Sequence, residues 1–187
     1  MKFDISVEEG RQAKIPHEIF LTNLIGNHIL WFVSTLGVVR SFWQPIALVP
    51  IVSVALLGYT IWRAGQSKRR DSWYVMCHWQ VAARRSWLFI GMLSLAGLVA
   101  LIGWAGHVYG GWKKEAVLAF SGGVGLLPVM VTILILIIME SDALYQAMQH
   151  RLPKWILQRY PNPGVAVIEE EPPLSQKQGQ GDPSALG

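Results

Sequence analysis

The chain has 187 residues, 52% of them hydrophobic and only 15% charged, with a net charge of +4 and a mean hydropathy of +0.34. Apolar content this high, gathered in blocks, excludes an ordinary soluble domain and points to a lipid-embedded chain with no nucleic-acid partner. The single cysteine, Cys77, excludes an intrachain disulfide and any multi-cysteine metal or haem-attachment motif within the chain.

Residues 1–19 form an N-terminal segment with acidic residues throughout and no compact apolar core, so no signal peptide is read there. Four apolar blocks follow, 20–39, 45–62, 86–106 and 116–139, each close to the roughly 20 residues that cross a bilayer core as a helix. The first block is the most polar, with Asn23, Asn27 and His28, and a soluble core helix or re-entrant segment is its alternative reading. At helical spacing Asn23, Asn27 and Ser34 share one face, which is expected to turn from lipid and hydrogen-bond to another helix, in this chain or in a partner. A polar transport path is the sharper reading of that face, but no carboxylate or lysine accompanies it inside the four blocks.

Between the second and third blocks lies a basic stretch, "SKRRDSWYVMCHWQVAARRSW". Starting the third span at Ser86 keeps Arg84 and Arg85 out of the hydrocarbon, where each costs roughly 2.5–3.5 kcal/mol. Residues 71–85 are then a helical continuation or a separate interfacial helix, with Asp71 as N-cap. Its wheel gathers Val75, Met76, Trp79, Ala82, Ala83 and Trp87 on one side and Cys77, His78, Gln80, Arg84 and Arg85 on the other, which is expected to be exposed. Lys68, Arg69, Arg70, Arg84 and Arg85 are read as basic residues at the membrane surface. Cys77 and His78 diverge by about 100° on a helix, so no shared metal is expected.

In the third block Ala96, Ala100 and Gly103, and in the fourth Ser121 and Gly125, have the small-residue spacing of close helix packing or a partner interface. Pro128 is expected to kink the fourth helix. Glu140 and Asp142 read as solvated markers of its exit, with pairing of Glu140 to Arg84 or Arg85 as the alternative. Residues 153–187 form a tail whose Pro-, Glu-, Gln- and Gly-rich composition predicts disorder from about Pro161.

Thirteen basic residues fall in the two terminal segments and the central loop, against three in the other two loops. The positive-inside rule therefore predicts that both termini are cytoplasmic. The histidines lie at different depths, so a haem held by two histidines of this chain is not expected. His28 is the candidate for a haem shared with a partner, and no cofactor is predicted for the chain alone.

The sequence thus predicts an all-α integral membrane bundle of four transmembrane helices over residues 20–152, with cytoplasmic helical extensions around 71–85 and 140–152. The leading functional expectation is a non-enzymatic accessory, anchoring or assembly subunit of a bacterial inner-membrane complex. Its partners would be the lipid bilayer and other membrane subunits or further copies of itself. The alternatives are a redox membrane anchor that binds haem or quinone with a partner, and a small transporter or channel.

Overall fold

The structure, a computed structural model, describes residues 1–37 and 44–169, so Arg40 and Trp43 of the first connection and the tail from residue 170 lie outside the described residues. Four long helices carry the fold: α1 (Val7–Leu36), α2 (Gln44–Arg70), α3 (Trp73–Val108) and α4 (Lys114–Met148). A short fifth, α5, spans Lys154–Arg159. Each of the long four is long and apolar enough to cross a membrane, and each contains one of the expected apolar blocks or most of it.

The helix starts follow from local chemistry. Ser6 caps α1 through a reciprocal box in which its hydroxyl accepts from the Glu9 amide at 3.2 Å and the Glu9 carboxylate accepts from the Ser6 amide at 3.3 Å. The helix therefore starts at Val7, inside the segment 1–19 that the sequence reading set apart from the bundle. Asp71, expected to cap α3, instead binds Arg63 through two hydrogen bonds of 2.8 Å, and Ser72 takes the N-cap position. With two residues between α2 and α3, the two helices are forced to run antiparallel and in contact. Of the two readings of 71–85, the helical continuation is the one observed, because α3 runs unbroken from Trp73 to Val108.

At one end all four helices overrun the apolar blocks, and there the N-terminal residues and residues 151–169 fold back on them. Strand β1 (Lys2–Phe3) pairs antiparallel with β2 (Val167–Glu169), and the Phe3 amide donates to the His150 carbonyl at 3.0 Å. The disorder expected from about Pro161 therefore gives way to a short strand at Val167–Glu169. His150, at φ +56°, takes the left-handed position that ends α4 and turns the chain towards α5. Phe3, Ala13, Tyr74, Cys77, Val81, Ala147, Leu152 and Ile156 form the core of this cap. Cys77 and His78 are fully buried, not exposed as the helical wheel suggested, since the cap covers the face that the sequence alone left to solvent.

Below the cap a second core fills the apolar part of the bundle, with Phe20 and Leu24 from α1, Leu57 from α2, Phe89 from α3 and Val129, Ile133 and Leu136 from α4. The small residues of α3 and α4 meet each other. A Cβ on Gly103 would lie 3.0 Å from Ser121 Oγ, and one on Gly125 would lie 3.3 Å from Val99 Cγ1 and 3.7 Å from the Ala96 carbonyl. Both α1 and α4 contain a stretch wound with i→i+5 bonding, Thr22–Trp31 and Ser121–Leu126, which lets the backbone adjust at these contacts. Gly125→Leu should destabilise the bundle by about 1–3 kcal/mol. Gly97→Leu, which faces open space, should stay within about 0.5 kcal/mol of the parent in detergent unfolding.

Candidate functional site

Each long helix buries one stripe, and at one level three of those stripes change from apolar to ionisable. On α1 the buried positions Gly10, Ala13, His17 and Phe20 recur at three- and four-residue steps, and on α4 Ile133, Leu136, Glu140, Ala143 and Ala147 do the same. On α3 His78 lies one turn from Tyr74 and Ala82. Helical periodicity therefore turns His17, His78 and Glu140 inward together, and all three are 0% exposed.

The groups touch. His17 Nδ1 lies 2.5 Å from Glu140 Oε2, and His17 Nε2 lies 2.9 Å from His78 Nδ1. Arg85 reaches in from the edge of the layer, with its side chain 12% exposed, and donates to Glu140 Oε1 at 3.1 Å and to the Met139 carbonyl at 2.9 Å. Taking a lone carboxylate out of water costs several kcal/mol, which a charged partner and filled hydrogen-bond sites offset. Glu140 has both. Of the two readings of Glu140, pairing with Arg85 is the one observed, and the solvated exit marker and the surface placement of Arg85 are corrected: the two form a largely buried pair, because Glu140 continues the inward stripe of α4 and Arg85 lies beside it on α3.

The donor and acceptor roles within the layer depend on the tautomers of the two rings. With Glu140 ionised, His17 Nδ1–H donates to it, and the proton between the two rings belongs either to His78 Nδ1 or to His17 Nε2. In the first arrangement both rings are neutral and His78 Nε2 is bare. In the second His17 is an imidazolium and His78 carries its proton on Nε2. That nitrogen is buried, with the Arg151 backbone as its polar neighbour. Nearby, the Tyr74 ring centroid is 4.8 Å from that of His78, and the Tyr74 hydroxyl lies 3.2 Å from the Ala147 carbonyl and 3.3 Å from that of Arg151. The two ring nitrogens facing each other at 2.9 Å are hydrogen-bonded to one another. Among the described residues no three His, Cys, Asp or Glu side chains converge on one metal position.

A second feature lies deeper in the apolar region. A cavity of about 560 Å³ opens between all four long helices, lined almost entirely by apolar side chains together with His28. His28 Nδ1 donates to the Asn23 carbonyl at 3.1 Å, and its ring packs edge-on against Phe89 at 4.9 Å. This fixes the tautomer and leaves Nε2 as an acceptor.

The polar face of α1 divides. Asn23 donates to Ser53 Oγ at 3.3 Å, and Asn27 donates to the Val49 carbonyl at 2.8 Å and to Asn23 Oδ1 at 3.2 Å, so α2 of the same chain satisfies them. Ser34 is exposed and returns its hydrogen to the Leu30 carbonyl at 2.6 Å. The wider winding of Thr22–Trp31 rotates Ser34 off the face that a regular helix would give it and places Thr35 inward. Ala96, Gly103, Ser121 and Gly125 lie at or beside the α3–α4 contact, whereas Ala100 faces outward. Lys68, Arg69, Arg70 and Arg84 are exposed at the capped end.

His17 is not among the residues that composition and spacing single out. Its signal was the stripe Ala13, His17, Phe20, which runs without a break from the polar N-terminal segment into the first apolar block. Removing one partner from the layer leaves the rest buried and unpaired, so Glu140→Ala should lower stability by about 3–5 kcal/mol. Asp142→Ala, at an exposed position one turn-fraction away, should change it by less than about 0.5 kcal/mol. Thermal unfolding of both variants in one detergent reads the difference. No protein-family model, curated protein or solved structure matches this chain.

Proposed function

We propose that the chain is a non-enzymatic accessory or anchoring subunit of a bacterial inner-membrane complex, with both termini and the α2–α3 turn in the cytoplasm. The cap carries this reading. The N-terminal residues and residues 151–169 are folded onto the helix ends around one core, which gives a shaped surface on an apolar stem, and exposed Lys68, Arg69, Arg70 and Arg84 make that surface basic. The uneven distribution of basic residues supports the orientation. The buried polar layer lies where cap and stem join, and fixes the angle at which the cap is held.

A second reading draws on the cavity: a redox anchor that holds a lipid-soluble molecule with a hydrogen-bonding head, of the quinone class, with a partner supplying the electron-transfer chemistry. The apolar lining suits the body of such a molecule, and His28 is the polar group that would orient it.

One purification in mild detergent at native expression tests both. A stoichiometric partner chain, whose recovery falls at least tenfold with Arg69→Glu and Arg70→Glu while the chain itself stays monodisperse, is the expected result for the subunit reading. Recovery of the chain alone counts against it. Quinone in the organic extract of the parent, lost from His28→Leu, would favour the redox anchor.

A further inference from the structure

Three basic side chains from three different elements converge on a cleft of about 380 Å³ at the capped end: Lys68 at the end of α2, Arg84 on α3 and Arg159 at the end of α5. Among the described residues no carboxylate lines it and none of the three forms an ion pair. Helix-end position accounts for part of this, since the C-terminal dipole favours Lys68 and Arg159 where they are. It does not account for Arg84, which belongs to the middle of α3 and rests over the Trp155 ring at 4.6 Å. Like charges gathered in a concave wall repel one another and concentrate anions.

The surroundings identify the anion. Trp87, Trp155 and Tyr160 complete the wall, and such side chains suit the boundary between headgroups and hydrocarbon. From Arg84, the same face of α3 continues through Leu88 (53% exposed), Gly91 and Leu95 (48% exposed), an apolar strip with open space at Gly91. A phosphate in the cleft would therefore have an apolar surface directly beneath it. Guanidinium groups bind phosphate oxygens in pairs, and basic pockets between helices on the cytoplasmic side suit phospholipid headgroups.

We propose that this cleft binds the headgroup of an anionic glycerophospholipid, with its phosphodiester held by Lys68, Arg84 and Arg159 and its acyl chains laid along Leu88, Gly91 and Leu95. The site rests on the four helices lying in a bilayer and does not depend on any partner chain.

The test is native mass spectrometry of the full-length chain from mild detergent, with phosphatidylglycerol and phosphatidylcholine of identical acyl chains offered at equal concentration. At least a tenfold preference for phosphatidylglycerol is expected in the parent. The combination of Lys68→Gln, Arg84→Gln and Arg159→Gln should reduce it to within twofold, while Lys113→Gln with Lys114→Gln, at the opposite end, should leave it intact. Equal binding of the two lipids by the parent overturns the proposal, as does a preference that survives the triple change in a chain that still elutes as the parent does. Full displacement of the lipid by millimolar inorganic phosphate would assign the cleft to a free anion instead. Because micelles present lipid to both ends and no partner is added, these outcomes do not depend on the subunit reading or on orientation.

Discussion

The contact of His17 with Glu140 organises the rest of the structure. It joins α1 to α4, while Arg85 and His78 bring in α3, so three of the four long helices are tied at one level by four ionisable side chains. An apolar core lies on each side of that level, one in the cap and one in the stem. Helices that meet only through apolar side chains can slide or rotate with small changes in energy. A buried ion pair has few acceptable geometries, because any shift leaves a charge unpaired in a region of low dielectric. The layer thus sets the register of the bundle, and the cap inherits that register from the helix ends it covers.

The placement of the layer also explains the length of the helices. If they had ended where the apolar blocks end, the Arg85 and Glu140 side chains would be exposed to water and would contribute little as a pair. Each helix instead continues past the block, and the N-terminal residues and residues 151–169 cover the layer from above. Tyr74 joins the two regions, with its ring against His78 and its hydroxyl at the carbonyls that end α4.

Much of the architecture was legible in composition. Four apolar blocks predicted four long helices, and the small residues Ala96, Ala100, Gly103, Ser121 and Gly125 marked close packing without naming the neighbour; all but Ala100 lie at or beside the α3–α4 contact. What remained hidden depended on contacts between distant parts of the chain. A helical wheel for residues 71–87 assigns Cys77 and His78 correctly to one face but cannot tell that Phe3, Leu152 and Ile156 cover it. Glu140 was taken for an exit marker because it follows a long apolar run, although its spacing from Ile133 and Leu136 continued the buried stripe. Ser34 was misplaced by assuming regular winding through Thr22–Trp31, where the bonding pattern widens without any strong local signal in the residues. Of the candidate site, His28 was visible as a lone histidine in an apolar block, whereas the His17–His78 pair needed the third dimension.

If the polar layer governs how cap and stem are joined, the flanking segments should open together when it is broken. Amide hydrogen exchange read by mass spectrometry on the parent and Glu140→Gln measures this directly. The account predicts exchange at least tenfold faster in residues 7–21, 73–85 and 140–160 of the variant, with residues 88–106 unchanged. Uniform acceleration along every helix, or none in the cap, would contradict it.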